Sequence, residues 1–397
     1  MTLLLNEEQL ELRALARDFS LGEIRPFAPE WDAERSLDPG IFTKLGELGF
    51  LGMRIPEEFG GLGLDLTSYL LILEELAWGD ASVALAVAIH SGPVTSSLLR
   101  HGSEEQKSRF LPAMATGDCL GAFALSEPEA GSDARALKTR ATQTPDGWVL
   151  NGKKKWVTSG ERAGVFLLFA RGDGGEGIHA FVLEAGRPGV TVGKREVTMG
   201  LTAIETVELE LEGVEVGPGS LLGEAGKGFE YAKEAMEVGR LGIATQAIGI
   251  GRAALEHARA YAQERVQFGR TLADFQAIRF KLAGMANRLT AARALVRCGA
   301  QALAEPGSGS GGEGLFPVID PEAPSAGALA AMAKTTASEA AVWITDEAVQ
   351  IFGGYGYMKD YPVEKLLRDA KGTEIYEGTN EIMRLIIAKD LLQATGA

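Results

Sequence analysis

The sequence is poor in the residues from which metal centres and disulfide frameworks are built. Its 397 residues include two cysteines and four histidines. Cys119 and Cys298 lie far apart and form no C-x-x-C pair, so neither a disulfide framework nor a zinc site is expected. The histidines are scattered, and no two have the spacing of ligands on one helix face. We therefore expect no metal site in this protein.

Basic residues are fewer than acidic ones. The chain has 39 Lys and Arg against 54 Asp and Glu, a formal net charge of −15. Such a field opposes binding to nucleic acid and to anionic membranes, so we expect neither as a partner. Residues 1–8 resemble neither a signal peptide nor an arginine-rich transit peptide. We also expect no uncharged apolar run of the roughly 18–20 residues that span a bilayer, and predict a cytoplasmic protein.

The chain divides into three zones by the period of its apolar residues, and its length favours two or three domains. The pattern is helical up to about Gly117, beginning at an Asn6–Gln9 capping box. It alternates with period two, between Asp-Gly and Asn-Gly turns, up to about Glu224. It is then helical again to the end. The prediction is an α+β fold with an N-terminal α-helical domain (1–119), a central antiparallel β domain (120–225) and a C-terminal helical domain (226–397).

Two glycine-rich stretches match G-x-G-x-x-G by chance. One lies in the Gly- and Ser-rich segment 305–327, which we predict to be a flexible insertion, and the other is Gly172–Gly177. Neither follows a strand and opens a helix, which the dinucleotide-binding fingerprint requires. An NAD-binding Rossmann domain is therefore not supported.

Four further segments combine residues suited to binding a ligand. They are 123–133, 155–160, 264–278 and 347–356. In the first, glycine and serine allow close backbone approach and offer N–H and hydroxyl donors, although a polar turn would look the same. In the second, strand alternation places Trp156 and Thr158 on one face, although a strand tryptophan is more often part of a core. The glycines of the last form a corner that could lie flat against a phosphate or adenosine group.

The most informative segment is 368–382, in which Glu377 immediately precedes a Gly-Thr step. That step opens an apolar-periodic segment from Ile382 to Leu392. A carboxylate on a loop at a helix entrance acts as a general base if the loop faces a dry pocket. The alternative is a solvated acid that interacts favourably with the helix dipole.

Together these five elements resemble the acyl-CoA dehydrogenase family of flavoproteins, most closely its short- and medium-chain branch. The similarity spans nearly the whole chain, from residues 5–9 and 56–61 to Glu377-Gly378-Thr379. It implies a helical domain, a β domain and a C-terminal four-helix bundle, with FAD at their junction and shared across a subunit interface. It also implies a homotetramer (a dimer of dimers), an electron-transferring flavoprotein as partner, and a role in fatty acid β-oxidation.

The resemblance also assigns residues to the cofactor. Those implied near its isoalloxazine are Phe123, Leu125, Ser126, Gly131, Ser132, Trp156, Val157 and Thr158, with Thr379 and Glu381 flanking it. Those implied to reach the FAD of a neighbouring subunit are Arg265, Gln267, Phe268, Phe275, Gln276, Gln350, Ile351, Phe352, Gly353 and Gly354.

The resemblance makes Glu377 the base that removes the α-proton of an acyl-CoA thioester, with the β-hydride passing to the flavin to give a trans-2-enoyl-CoA. Around the substrate it implies Ser132, Glu237, Arg240 and Gly378. Some relatives carry the base on the long helix, one residue before an arginine that corresponds to Arg240. That position is Gly239 here, so Glu377 is left as the base.

Two other functions stay open at this point. An oxygen-using relative, such as an acyl-CoA oxidase or a flavin monooxygenase, has the same fold, and a non-catalytic FAD- or CoA-binding assembly protein is a third reading. A dicarboxylyl substrate is disfavoured because residues 79–85 lack arginine. Acyl-chain length and branching are not decided by the sequence.

Overall fold

A computed structural model of the chain describes residues 5–175, 177–304 and 324–394. Most of the predicted flexible insertion at 305–327 therefore lies outside the described residues. The N-terminal part is helical, and α1 begins at the predicted capping box, in which Asn6 and Gln9 bond reciprocally. The helices of this part are α1 (Glu7–Phe19), α2 (Ala28–Glu34), α3 (Gly40–Glu47), α4 (Leu66–Gly79), α5 (Ala81–Ile89), α6 (Thr95–His101) and α7 (Glu104–Thr116).

The middle of the chain forms a seven-stranded sheet. Its strands are β1 (Leu120–Ala124), β2 (Arg140–Thr144), β3 (Gly147–Thr158), β4 (Ala163–Gly172), β5 (Ile178–Glu184), β6 (Val190–Arg195) and β7 (Thr206–Val216). They pair in the order β1-β4-β2-β3-β7-β6, with β5 also pairing with β4. The prediction of an antiparallel sheet was wrong in part, because β4 runs parallel to both β1 and β2. Period-two alternation identifies a strand but does not tell which strand it pairs with or in which direction.

The C-terminal part is again helical and is built around α8 (Gly228–Glu264), which at 37 residues is roughly 55 Å long. The elements after α8 are the hairpin β8 (Val266–Gln267) and β9 (Arg270–Thr271), then α9 (Gln276–Leu303), α10 (Ala326–Phe352), α11 (Pro362–Gly372) and α12 (Asn380–Ala394). Apolar faces of α8, α9 and α10 pack together, and α12 lies along α10.

A buried turn between α5 and α6 holds the N-terminal helices against the sheet. The helix pair α5–α6 is joined by a π-helical turn, His90–Val94, and the His90 ring is fully buried. Its Nδ1 accepts from the Gly121 N–H (2.9 Å) and its Nε2 donates to the Met114 carbonyl (3.2 Å). Burial lowers the pKa of His90 to about 4, so the ring is neutral and ties α5 to β1 and α7.

One stretch contradicts the expectation that no apolar run is long enough to cross a membrane. Ala81–His101 has the required length, and its most apolar 18-residue stretch has a mean hydropathy of 1.4. Of the residues in that stretch, 94% are buried inside the protein, where α5 packs against α4 and α8. The stretch is accordingly a core segment, apolar all round because protein covers all of its faces.

Candidate active site

Glu377 lies on the short loop between α11 and α12, and hydrogen bonds fix the loop on both sides of it. The Tyr376 hydroxyl donates to Gln246 Oε1 on α8 (2.9 Å), and the Asn380 N–H donates to the Glu374 carbonyl (3.0 Å). Glu377 has φ 53° and Gly378 has φ 93°. A left-handed conformation is unfavourable for a glutamate, and it persists only where the surroundings impose it.

The carboxylate of Glu377 points inward. Its Oε2 is buried and has no hydrogen-bond partner among the described residues. It lies 2.6 Å from where a Cβ on Gly239 would be, so the glycine leaves the space that the carboxylate occupies. Burial raises the pKa of Glu377 to about 7, although the charges of Arg240 and Lys334 oppose the rise. A carboxylate with this pKa is a stronger base at neutral pH than an ordinary glutamate.

The substrate-side residues form a second part of the same region. Arg240 is buried, and its Nε has no partner in the described part of the chain. Burial lowers the pKa of Arg240, and the charges of the Glu377 and Glu237 carboxylates oppose this effect. Burial raises the pKa of the half-buried Glu237. Ser132 is exposed, and the Gly378 carbonyl is already bonded within the protein.

The bond to Gly378 comes from Lys334, a residue that the sequence reasoning missed. Its side chain is fully buried in α10, and Nζ donates to the Gly378 carbonyl (2.8 Å) and to Asn380 Oδ1 (2.9 Å). Burial lowers the pKa of Lys334 to about 8, and the Glu377 carboxylate counteracts this effect. The sequence did offer a signal, a single lysine in an alanine-rich apolar helix. Such a lysine is buried with the helix and must find hydrogen-bond partners there.

The Glu377 backbone offers a donor as well. No described residue accepts a hydrogen bond from its N–H, while the neighbouring Tyr376 and Asn380 N–H groups are both bonded. The loop therefore presents a carboxylate and a free N–H from the same residue. A base next to a donor is the arrangement needed to remove a proton beside a carbonyl, since the donor stabilises the oxygen as charge develops on it.

A second polar region lies at the end of β1, and a buried ion pair holds it in place. Lys154 Nζ donates to Glu127 Oε1 (2.7 Å) and to the Leu125 carbonyl (3.1 Å), and both side chains are buried. The Lys155 N–H donates to the Ser126 carbonyl (2.9 Å). These bonds bring residues 125–127 against β3, although the sequence reasoning named neither Lys154 nor Glu127 as a positioning residue.

The structure brings Trp156 and Thr158 to this region but not by simple alternation. A bulge between Lys154 and Val157 interrupts the pairing of β3 with β7, and Trp156 has φ 59°. As a result the Trp156 indole is 51% exposed and lies 3.9 Å from the Cβ position of Gly131, while Thr158 is half-buried. The Val157 side chain is buried in the sheet core, so only the backbone of Val157 could contact a ligand.

A third region gathers most of the residues implied to reach a neighbouring cofactor. A cleft of about 530 Å³ is lined by Arg265, Gln267, Ile351, Phe352, Gly353 and Gly354, among others. The hairpin beside it carries Phe268, which is 92% exposed at φ 53° and meets Phe275 edge-on. Gln276 and Gln350 are exposed at the start of α9 and near the end of α10. None of the residues around Glu377 or Trp156 lines this cleft.

The remaining predicted residues have mixed positions. Thr379 accepts a weak hydrogen bond from the Ile382 N–H (3.4 Å) at the start of α12. Glu381 is exposed and lies 3.6 Å from Arg384. Phe123 is half-buried and packs on Phe169, with 5.2 Å between the ring centroids, so its ring belongs to the core.

The donor set fits an FAD-type cofactor. Among the described residues, six non-glycines have a positive φ, and three of them are predicted site residues, namely Trp156, Phe268 and Glu377. An exposed indole beside a threonine hydroxyl and a serine loop suits a flat, polar ring. A cleft with an arginine and two glycines whose Cβ positions face open space suits a pyrophosphate and a nucleoside.

Three models of protein families match successive parts of the chain. They describe the acyl-CoA dehydrogenase N-terminal domain at residues 6–118, the middle domain at 122–214 and the C-terminal domain at 226–392. The chain is 46% identical to an acyl-CoA dehydrogenase of Bacillus subtilis, covering 98% of this chain and 99% of the relative. It is 41% identical to the mitochondrial short-chain specific acyl-CoA dehydrogenase of Bos taurus, covering 98% and 91% respectively.

Solved structures agree with this result. Butyryl-CoA dehydrogenase from Megasphaera elsdenii is 41% identical and superposes with a TM-score of 0.91 over 99% of this chain and all of that one. A chain from a structure described as an electron transferring flavoprotein of Acidaminococcus fermentans is 41% identical, with a TM-score of 0.92 over 99% and 100%. A glutaryl-CoA dehydrogenase from Mycobacterium smegmatis, in complex with FADH2, is 29% identical, with a TM-score of 0.88 over 98% and 95%.

The fold and the site define a member of the acyl-CoA dehydrogenase family, to which this chain belongs. Members of this family are flavoproteins. The enzyme is an oxidoreductase that acts on CH–CH groups.

Proposed function

We propose that the enzyme oxidises a fatty acyl-CoA thioester to its trans-2-enoyl-CoA, with Glu377 as the base that takes the α-proton. The observation that carries the proposal is the buried Oε2 of Glu377 beside its own N–H, neither of which has a hydrogen-bond partner among the described residues. The thioester carbonyl would accept from that N–H, and the carboxylate would then face the α-carbon. With a pKa of about 7, Glu377 is substantially ionised at neutral pH and ready to accept a proton.

FAD is the cofactor in this proposal, and it supplies the acceptor for the β-hydride. Trp156, Thr158 and the Ser126 loop would hold its ring system, and the exposed indole would exclude water from one face. The cleft containing Arg265, Gly353 and Gly354 would hold the pyrophosphate and nucleoside of a cofactor bound mainly by another subunit. Support comes from the FADH2 complex of the glutaryl-CoA dehydrogenase relative.

A homotetramer is part of the same proposal. The face around the cleft exposes large apolar side chains, with Phe268 92% exposed, Phe280 67% and Val266 52%. Exposed apolar groups of this size indicate an interaction surface. For the electron acceptor we propose an electron-transferring flavoprotein, which the description of the Acidaminococcus fermentans relative names.

Anaerobic titration with acyl-CoAs, followed by loss of the oxidised-flavin absorbance, tests the proposal. Wild-type protein should bleach, and its reduction rate should fall on the acid side of pH 7 as Glu377 becomes protonated. Glu377→Gln should keep acyl-CoA binding but slow flavin reduction by about 10²–10⁴-fold. Glu374→Gln is the matched control, because that carboxylate lies on the same loop and pairs with Lys371. Full activity of Glu377→Gln would refute the assignment of the base.

Slow reaction of the substrate-reduced enzyme with oxygen would separate a dehydrogenase from an oxidase or monooxygenase. Absence of bleaching by any acyl-CoA, in protein that still holds FAD, would favour a non-catalytic binding protein.

A further inference from the structure

A buried ion cluster lies on α11, the helix that leads into the Glu377 loop. Lys365 is 9% exposed, and its Nζ donates to Asp80 Oδ2 and to Asp369 Oδ2, both at 2.7 Å. The two aspartates are buried as well. Burial alone would lower the pKa of Lys365, but the charges of Asp369 and Asp80 outweigh it and raise the pKa. Lys365 is therefore charged at neutral pH, and we call these three residues the α11 cluster.

Every carboxylate oxygen of the α11 cluster has a donor. Asp80 Oδ1 accepts from the Ser82 N–H (2.8 Å) and the Val83 N–H (3.2 Å), so Asp80 also caps α5. Asp369 Oδ1 accepts from the Leu201 N–H (2.6 Å), in the loop between β6 and β7. A buried polar network whose members are all bonded is rigid. The cluster therefore joins α11 to the junction of α4 with α5 and to the sheet.

The loop that Asp369 holds continues into the strand beside Thr158. Its backbone lies so close to α11 that a Cβ on Gly200 would overlap the backbone of Arg368. The loop then enters β7, whose first residue, Thr206, pairs with Thr158 at the end of β3. The helix that leads to the base is thus bonded to the segment next to the threonine that would face the flavin.

A second connection fastens the other end of the same stretch. The Tyr376 hydroxyl donates to Gln246 Oε1 (2.9 Å), and Gln246 Nε2 donates to the carbonyl of Ala81, the first residue of α5 (2.7 Å). The chain from Lys365 to Tyr376 is therefore held at both ends against the start of α5. Glu377 is the next residue, so its position depends on these two attachments.

We propose that the α11 cluster positions the base, by fixing the Glu377 loop at a set distance from the sheet that carries Thr158. This inference rests on the proposed function, in which a substrate lies between Glu377 and the flavin. That reaction breaks two C–H bonds of one substrate, one facing Glu377 and the other facing the flavin, so the separation of the two sides matters. A displacement of about 1 Å slows such a reaction on the order of 100-fold.

Stability alone does not explain the cluster. Replacing a buried ion triad with uncharged residues of similar volume is often neutral or stabilising, whereas removing one member leaves an uncompensated buried charge. A positioning role requires what the structure shows, namely a rigid joint bonded to both sides of the site. The two roles differ in what they predict for Glu377.

The test is a double-mutant cycle between the α11 cluster and Glu377 in the FAD-saturated protein. The cluster variant is Asp80→Asn/Lys365→Met/Asp369→Asn, which removes the three charges together. Asparagine at position 80 still caps α5, and asparagine at position 369 still offers an oxygen to the Leu201 N–H, so the variant should fold.

The matched control is Glu75→Gln/Arg252→Met. It removes another buried ion pair, with Arg252 Nη1 2.7 Å from Glu75 Oε1, which joins α4 to α8 and makes no bond to α11. The charged groups that act on Glu377 are Arg240 from α8 and Lys334 from α10, and both variants leave them in place.

The first measurement is urea unfolding at pH 8, with and without Glu377→Gln. Because burial raises the pKa of Glu377, this substitution should stabilise the wild type. In the cluster variant the loosened loop lets water reach the carboxylate, so the stabilisation should be smaller by at least about twofold. In the control variant it should be unchanged. Equal stabilisation in the wild type and the cluster variant would overturn the inference, and so would no stabilisation in the wild type.

The second measurement is stopped-flow reduction of the flavin by acyl-CoA. The limiting rate should fall about 100-fold in the cluster variant, with little change in the Kd for acyl-CoA, and the acid-side fall in rate should move to lower pH as Glu377 becomes hydrated. A rate and a pH profile like those of the control would overturn the inference. No flavin reduction by the wild type with any acyl-CoA would overturn the proposed function. The unfolding cycle needs no turnover and would still confirm or refute the positioning of Glu377.

Discussion

Replacing Glu377 by glutamine should stabilise the protein while it removes activity. Burial raises the pKa of this carboxyl group from the ordinary 4.5 of a glutamate to about 7. A difference of about 2.5 between the two pKa values corresponds to about 3 kcal/mol, because one pKa unit is worth about 1.4 kcal/mol. Glutamine has nearly the same shape and no charge, so the variant avoids the cost of holding a carboxylate in this pocket.

The sign of the pH dependence follows from linkage. Between pH 4.5 and about 7 the folded protein holds a proton on Glu377 that the unfolded chain releases. Below pH 4.5 Glu377 is protonated in both the folded and the unfolded state, so it does not lower the free energy of unfolding. As pH rises through the window the wild type loses stability, and above it the full cost of about 3 kcal/mol applies. Since Glu377 is half-buried, this figure is an upper bound.

The assay is urea unfolding of the FAD-saturated proteins at pH 5 and pH 8. We expect Glu377→Gln to exceed the wild type in free energy of unfolding by about 2–3 kcal/mol at pH 8 and by much less at pH 5. Glu374→Gln, on the same loop, should show no such pH-dependent gain. Equal stability of Glu377→Gln and the wild type at pH 8 would refute the argument that the base is held at a cost.

Two further predictions concern the groups that position the base. Gly239→Ala places a Cβ 2.6 Å from Glu377 Oε2 and should displace the carboxylate; a displacement of about 1 Å slows flavin reduction on the order of 100-fold. Gly251→Ala is the control, because its new contacts start at 3.4 Å and the rate should be unchanged. Equal rates of flavin reduction in the two variants would contradict this prediction. Lys334→Met leaves the Gly378 carbonyl unpaired and Asn380 Oδ1 with only the Ser338 Oγ donor at 3.2 Å, so unfolding measurements should show a loss of about 1–3 kcal/mol. Stopped-flow measurements should show that the acid-side fall in the rate of flavin reduction moves to higher pH, because a positive charge that lowers the pKa of Glu377 is removed. If the rate of flavin reduction falls at the same pH as in the wild type, Lys334 does not act on Glu377.

The succession of helical, alternating and helical patterns was enough to predict the three parts of the fold. Local signals account for this result. The Asn6–Gln9 capping box acts over a few residues, and the structure has it where the sequence predicts. The direction of strand pairing was not predictable in this way, because β1 and β4 are joined by 38 intervening residues, Leu125–Arg162, that contain two other strands.

The sequence by itself was enough to propose Glu377 as the base, because Glu377 stands in a motif and Gly239 occupies the alternative position. Tertiary structure decided what surrounds that carboxylate. Lys334 and Gln246 come from helices distant in sequence, and their roles depend on hydrogen bonds that only packing creates. Buried polar groups must find partners wherever the fold brings them, so their importance follows from three-dimensional position and not from any local pattern.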